Sequence, residues 1–199
     1  MALKSLTESE RDLILPWRNA PEVRRHMYHT HEISLEEHRA WFQSMQADPA
    51  RRWYLWLDPA GEPGGVVCFT DLDPVQQTAF WGFYARPGAE AGTGKRMECE
   101  ALDHAFGELG LVKLNCEVLA TNTPVTNLHE KCGFTREGTF RAQHFDGEQR
   151  IDVIRLGLLA DEWAAHRDTV RARIEQLDAL ATQRAHTPPP QDRGPDGRG

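Results

Sequence analysis

The sequence predicts an α+β fold in which helices pack against one mixed β-sheet. Strand-like and helix-like segments alternate along the chain, and this alternation places helices beside a sheet. Three consecutive strand segments joined by short turns indicate an antiparallel meander. Asp146-Gly147 lies between two later strand segments and is typical of a β-hairpin turn.

Each element is predicted from its hydrophobic spacing and its flanking residues. Ser34 and Glu37 form a capping-box pattern at the start of one helix, and Pro21 interrupts another. Apolar residues share one face of the segment 94–109, which indicates an amphipathic helix. The predicted strands are 3–6, 53–58, 66–72, 78–84, 113–119, 134–143 and 149–158, and the predicted helices are 16–28, 34–47, 94–109, 124–131 and 161–181.

The composition is that of one globular domain. The chain has 199 residues and a formal net charge of −7, which argues against a generally basic nucleic-acid-binding protein. Its four cysteines form no CxxC pair, and no apolar run approaches the length of a membrane span, about 20 residues. We expect one domain over residues 1–181, a disordered tail over 182–199, a cytoplasmic location, and neither nucleic acid nor membrane as a partner.

A glycine-containing loop, Gly92-Thr93-Gly94, joins the strand 78–84 to the next helix. Free backbone N–H groups at a helix start carry the positive end of the helix dipole, so together they can bind a phosphate group. Glycine lets the backbone approach that anion closely. The alternative is a loop that needs glycine for its geometry alone. The segment is neither a dinucleotide-binding fingerprint nor a P-loop, because the third glycine and the GK[ST] sequence are absent.

Residues 115–141 add a second pattern, in which a strand, a loop with Asn122, a short helix and KCGF at 131–134 follow one another. With the glycine loop, this order resembles the GCN5-related N-acetyltransferase (GNAT) family over roughly residues 1 to 165. The resemblance implies a mostly antiparallel sheet of about seven strands, whose central strands splay apart to admit acetyl-CoA. It also implies acetyl-CoA as cosubstrate and no metal.

By the same resemblance, backbone groups of Phe83, Tyr84 and Ala85 contact the acetyl-pantetheine arm, and residues 89–95 hold the pyrophosphate. Ala89 stands where the family usually has Gln or Arg, so the phosphate site lacks one side chain. The implied cofactor-binding residues are Phe83, Tyr84, Ala85, Ala89, Ala91, Gly92, Thr93, Gly94, Lys95, Asn122, Asn127 and Lys131.

Finer similarity points to one branch of the family. The segments 17–42, 81–87, 109–122, 133–141 and 151–163 together are similar to the N-acetyltransferases of pseudaminic acid biosynthesis. That similarity implies acetylation of the 4-amino group of UDP-4-amino-4,6-dideoxy-N-acetyl-β-L-altrosamine, a step toward a flagellin glycan. An aromatic wall suits a 6-methyl group and a uracil ring, and guanidinium groups suit a diphosphate. The candidate acceptor-binding residues are Arg18, Met27, Tyr28, Trp41 and Tyr84, with Arg24 and Arg25 as further candidates for the diphosphate.

Two of these assignments have simpler alternatives. Helical spacing explains Trp41 equally well as a core residue, and a solvated helix face explains the arginines. Four histidines lie between residues 26 and 38, but their spacing matches no zinc motif and no thiolate joins them, so no metal site is predicted.

Two residues are candidates for catalysis. An attacking amine must lose its proton, and Glu117 matches the position of the carboxylate base in the family. Its alternative is an exposed strand carboxylate. His129 stands where the family usually has a tyrosine that protonates the leaving thiolate. It is either that acid or a packed helix histidine, and with an ordinary imidazole pKa of about 6.5 it is mostly neutral at pH 7.

Three functions stay open. The first is a nucleotide-sugar N-acetyltransferase that acts on a small molecule as a monomer or homodimer. The second is a GNAT enzyme for another amine, such as a ribosomal-protein N-terminus or an aminoglycoside. The third is a non-catalytic acyl-CoA-binding domain. Glu117 and the intact glycine loop favour an enzyme.

Overall fold

The computed structural model describes residues 3–186, and its side chains over residues 3–179. One seven-stranded sheet has the order β1-β2-β3-β4-β5-β7-β6. Its strands are β1 (Leu3–Ser5), β2 (Arg52–Leu57), β3 (Pro63–Asp73), β4 (Thr78–Ala85), β5 (Lys113–Leu119), β6 (Thr135–Phe145) and β7 (Arg150–Leu159). The helices are α1 (Glu8–Asn19), α2 (Pro21–Arg24), α3 (Leu35–Ala47), α4 (Thr93–Asp103), α5 (Thr123–Lys131) and α6 (Ala160–His186), and a π-helical turn over His104–Glu108 extends α4.

The parallel pair β4 and β5 separates partway along its length. The two strands pair only from Thr78 opposite Lys113 to Phe80 opposite Asn115. Beyond Phe80 their common register ends, although β4 continues to Ala85. The other neighbouring strands in the sheet pair antiparallel. The α+β sheet with splayed central strands is therefore confirmed.

Helices cover both faces of the sheet. Along β2, successive side chains point to opposite faces, so Leu55 packs with α1 and α3 while Trp56 packs with α4. Asp103 at the end of α4 joins α6 to α4, because it accepts hydrogen bonds from Trp163 Nε1 at 3.1 Å and Arg167 Nε at 2.6 Å. Two helical layers thus pack on the two faces of the sheet, and the gap between β4 and β5 remains open to a ligand.

Most predicted elements are confirmed, but the helix predicted over 16–28 is wrong. The chain instead forms α1, which begins at Glu8 and contains Pro16, and then the short helix α2. A capping box at Thr7 and Glu10 stabilises the start of α1, where the Thr7 backbone N–H donates to Glu10 Oε2 at 3.1 Å. The capping box therefore sets the start of α1 at Glu8, and Pro16 lies inside the helix without ending it.

Two further differences concern helix ends. The helix predicted over 94–109 begins at Thr93, and its last turn is π-helical. The predicted tail begins at residue 182, whereas α6 continues to His186. Residues 187–199 lie outside the described residues, so the tail stays a prediction. Over residues 3–186, no helix has the length and apolar content needed to cross a membrane.

Candidate active site

A cavity of about 760 Å³ lies at the gap between β4 and β5. Its walls come from β4, β5, the glycine loop, α5 and the N-terminal segment between residues 18 and 41. Cys116 and Glu117 are neighbours on β5 and point to opposite faces of the sheet, and both line this cavity. The cavity therefore reaches both faces of the sheet through the gap.

Glu117 lies in the cavity wall with two partners for its carboxylate. The hydroxyl of Tyr28 donates to Oε2 at 2.7 Å, and Nη1 of Arg155 lies 3.3 Å from Oε1. Arg155 also stacks over the ring of Phe80 at 4.0 Å, which limits how far its guanidinium can move. Burial of Tyr28 and its hydrogen bond to Glu117 raise the pKa of the phenol above its usual range, so Tyr28 remains a donor. The site holds a carboxylate in one orientation, within reach of the cavity.

His129 lies in the cavity wall and is almost fully buried, with 3% of its surface exposed. Its Nδ1 is 2.8 Å from Oε1 of Glu98, a carboxylate on α4 with no exposed surface. Burial alone lowers the pKa of His129, but the adjacent Glu98 carboxylate and, to a smaller extent, Cys116 outweigh burial and raise that pKa to about 10. An ordinary imidazole pKa near 6.5 would leave His129 mostly neutral at pH 7, whereas the contact with Glu98 favours the protonated ring.

The glycine loop has the geometry that an anion-binding helix start requires. Gly92 is the N-cap of α4 and has φ = +92°, a conformation that residues with a side chain rarely adopt. Thr93 and Gly94 follow it and line the cavity. Beyond Phe80, β4 no longer pairs with β5. The backbone N–H and C=O groups that β4 directs into the gap can therefore form hydrogen bonds with an extended ligand. These features fit acetyl-CoA, whose pantetheine arm is extended and whose pyrophosphate is anionic.

Comparison with protein-family models decides the family. The model described as an acetyltransferase (GNAT) domain matches residues 1–135. The chain belongs to the GNAT family. It is therefore an acetyltransferase, and GNAT enzymes use acetyl-CoA as donor.

Similar GNAT proteins come from several bacteria. Acetyltransferase PseH of Campylobacter jejuni subsp. jejuni serotype O:23/36 (strain 81-176) is 28% identical over 136 residues, which cover 67% of this chain and 83% of that protein. The SPbeta prophage-derived uncharacterized N-acetyltransferase YokL of Bacillus subtilis (strain 168) is 29% identical over 147 residues, 71% of this chain and 81% of its own. The spermidine N-acetyltransferase of Vibrio cholerae, solved with CoA and spermine, superimposes with a TM-score of 0.75 at 22% identity, covering 81% of this chain and 96% of that one. This last likeness shows the shared GNAT fold.

The predicted cofactor-binding residues of this GNAT domain fall into two groups. Those in the cavity wall are Phe83, Tyr84, Ala85, Ala89, Thr93, Gly94 and Asn122. Those outside it are Ala91, Gly92, Lys95, Asn127 and Lys131. Asn127 and Lys131 are exposed on α5, so a role for them toward the outer phosphates of acetyl-CoA stays a prediction.

The structure brings all five predicted acceptor-binding residues into the cavity wall, namely Arg18, Met27, Tyr28, Trp41 and Tyr84. Trp41 also packs edge-on against Trp53, with ring centroids 4.8 Å apart, so it serves the core as well as the wall. Nη2 of Arg18 donates to the His29 carbonyl oxygen at 2.9 Å, and its Nη1 is buried with no partner. The further candidates Arg24 and Arg25 are not in this wall.

Two residues that contact the predicted catalytic pair are not among the residues predicted from the sequence. Arg155 lies directly opposite Glu117 in the register of β7 with β5, a pairing that only the assembled sheet reveals. Glu98 could have been identified from the sequence as a buried carboxylate, because it precedes Ala101 by three residues and so lies on the apolar face of α4. Within residues 3–186, no group of three or more His, Cys, Asp or Glu side chains is arranged to hold a metal ion.

Proposed function

We propose that this protein transfers the acetyl group of acetyl-CoA to the 4-amino group of a UDP-linked 4-amino-4,6-dideoxy sugar in pseudaminic acid biosynthesis. One observation carries the proposal: the five acceptor-binding candidates, drawn from separate parts of the sequence, line the same cavity as Glu117. The similarity to Acetyltransferase PseH supports the sugar-nucleotide acceptor. The product would enter the cytoplasmic synthesis of a sugar that modifies flagellin.

The chemistry of the cavity wall suits such an acceptor. Met27 and Trp41 offer apolar surface to a 6-methyl group, and the ring of Tyr84 can stack on a uracil. Arg18 is the guanidinium in this part of the wall, and guanidinium groups bind phosphate oxygens in a bidentate manner.

The proposed reaction uses two groups of the cavity wall, Glu117 and His129. The amine nitrogen attacks the thioester carbonyl carbon, a C–N bond forms, and the C–S bond breaks. Glu117 accepts the proton that the amine loses, while Tyr28 and Arg155 hold its carboxylate in place. His129 gives a proton to the leaving thiolate. Both groups then return to their starting protonation states by exchange with solvent.

A second candidate acceptor is a polycationic amine such as an aminoglycoside. Four carboxylates line the cavity, belonging to Glu22, Glu37, Glu90 and Glu117, whereas its arginines are Arg18 and Arg86. An excess of carboxylates favours a cationic acceptor electrostatically. Glu37 is already bonded to His31 at 2.8 Å, which reduces the negative charge available to such a ligand.

The test compares the UDP-amino sugar with the same sugar lacking UDP, using acetyl-CoA as donor. We expect turnover of the UDP-amino sugar, and in Arg18→Ala a KM about tenfold higher for it, because one charge-assisted contact is lost. The UDP-free sugar should show no such change. Arg39→Ala is the matched control, because Arg39 is an exposed arginine outside the cavity wall. Absence of turnover with the UDP-amino sugar, together with turnover of an aminoglycoside, would replace the proposal with the second candidate.

A further inference from the structure

Glu98 is a buried carboxylate that the proposed reaction does not use directly. It lies on α4 with 0% of its surface exposed, and its Oε1 contacts Nδ1 of His129 at 2.8 Å. Its second oxygen, Oε2, is buried and has no hydrogen-bond partner. A buried carboxylate is costly unless it is paired with a positive charge, so this position needs a reason.

The surroundings of His129 identify Glu98 as the acidic group that acts on it. From β4, the rings of Trp81 and Phe83 pack against the imidazole at centroid distances of 5.3 and 6.1 Å. From β5, the side chain of Cys116 neighbours the imidazole and adds to the rise in its pKa.

On the other side, Phe134 lies 5.1 Å from the imidazole, and the thiol of Cys132 neighbours Glu98. Burial and the nearby Glu98 carboxylate raise the pKa of Cys132 above its usual range, so this thiol stays neutral and does not compete as a base. Lys95, on α4, interacts electrostatically with Cys132. Among the groups that these elements direct at the imidazole, Glu98 is the carboxylate that pairs with it.

We propose that Glu98 is a positioning residue that keeps the ring of His129 protonated and oriented, so that its Nε2 delivers a proton to the leaving thiolate. Glu98 holds Nδ1, which leaves Nε2 as the ring nitrogen that can act toward the cavity. When the C–S bond breaks, its electron pair stays on sulfur and takes the Nε2 proton. The imidazole becomes neutral and keeps its Nδ1 hydrogen bond to Glu98. This inference rests on the proposed acetyl transfer.

The pairing explains how a histidine can occupy a position that usually holds a tyrosine. A phenol has a pKa of about 10 and keeps its proton at neutral pH. The pKa of His129 is raised to about 10, so the charged imidazole is available over the same pH range. Without the carboxylate, burial would leave the imidazole neutral and unable to protonate sulfur.

The first test needs no acceptor, and it measures the wild-type protein. NMR of the imidazole nitrogens, assigned with His129→Gln, should show His129 protonated in the free protein at pH 8. A neutral His129 at pH 8 would overturn the inference whatever the acceptor proves to be. The acceptor assay on the wild-type protein tests the proposed function separately, so failures of the two remain distinguishable.

The second test is the pH dependence of kcat in Glu98→Gln, measured with whichever amine the wild-type protein acetylates. We expect kcat at pH 8 to fall about tenfold and its alkaline limb to move down by about two units or more, because His129 then titrates near or below its ordinary pKa of about 6.5. Glu130→Gln is the matched control, since Glu130 is the exposed carboxylate next to His129 and pairs with Arg136. An unmoved alkaline limb in a folded Glu98→Gln would contradict the inference.

Rescue by tyrosine separates positioning from simple packing. A phenol needs no carboxylate to stay protonated, so Glu98→Gln combined with His129→Tyr should recover most of the kcat that Glu98→Gln loses. If Glu98 only packs the core, the double variant would be no more active than Glu98→Gln. In the His129→Gln background, Glu98→Gln should cause no further loss of kcat, because the group through which Glu98 acts is absent.

Discussion

The hydroxyl of Tyr28 donates a hydrogen bond to Oε2 of Glu117 at 2.7 Å, across 89 residues of chain. Tyr28 belongs to the segment between α2 and α3, whereas Glu117 lies on the central strand β5. The same tyrosine ring meets His144 of β6 edge-on, with centroids 5.4 Å apart. One side chain therefore joins the N-terminal segment, the central strand and the β6–β7 hairpin beside the cavity.

Tyr28→Phe should lower kcat/KM about two- to tenfold, since one hydrogen bond to a charged group is lost and such bonds contribute about 0.5–1.5 kcal/mol or somewhat more. Phenylalanine keeps the ring contact with His144, so the thermal midpoint should change little. Tyr54→Phe, which alters a buried tyrosine outside the cavity, serves as the control. Steady-state kinetics and thermal unfolding check both expectations, and unchanged kinetics in Tyr28→Phe would show that Glu117 needs no such partner.

Glu117→Gln should lower kcat about a hundredfold or more at pH 7, which is the effect of losing a general base. Acetyl-CoA binding should persist, because the amide has the size of the carboxylate. Activity should recover in part at alkaline pH, where the amine loses its proton to solvent. The matched control is Glu148→Gln in the β6–β7 turn. Turnover close to that of the wild-type protein at pH 7 would leave Glu117 a structural carboxylate.

Gly92→Val should remove most of the thermal stabilisation that acetyl-CoA gives the wild-type protein. A ligand that prefers the folded state raises its stability, and valine at φ = +92° distorts the helix start that would bind the pyrophosphate. Gly61→Val is the matched control, because Gly61 has φ = +84° in the β2–β3 turn and so carries the same backbone strain away from the loop. An equal loss of ligand-induced stabilisation in both variants would mean that strain alone is responsible.

The His129–Glu98 pair predicts a pH dependence of stability. The pKa of His129 in the folded protein is raised to about 10, above the value of about 6.5 expected in the unfolded chain. Its contribution to the free energy of unfolding is therefore complete below about pH 6.5 and is lost as pH rises toward 10. Urea unfolding at pH 7 and pH 9.5 should show a larger loss of stability in the wild-type protein than in Glu98→Gln. Equal losses would mean that no such ion pair exists.

Much of the fold and of the site could be predicted, because the signals for them are local in the sequence. The glycine loop, the Asp146-Gly147 turn and the alternation of Glu117 with buried neighbours each depend on a few adjacent residues. Contacts that need tertiary packing were not predictable in this way. The pairing of Glu98 with His129 joins two helices 31 residues apart, and it reverses the protonation state that an isolated histidine predicts.

The most direct test of the proposed function is a competition for acetyl-CoA in one reaction. The UDP-4-amino-4,6-dideoxy sugar, spermidine, an aminoglycoside and an N-terminal ribosomal peptide are mixed at equal concentrations, and mass spectrometry measures the acetylated products. Product ratios at early times report the ratios of kcat/KM. We predict that the 4-N-acetylated UDP-sugar exceeds each other product by about tenfold or more, since the loss of even one charge-assisted contact costs about that factor. Preferential acetylation of any other amine in the mixture would contradict the proposal.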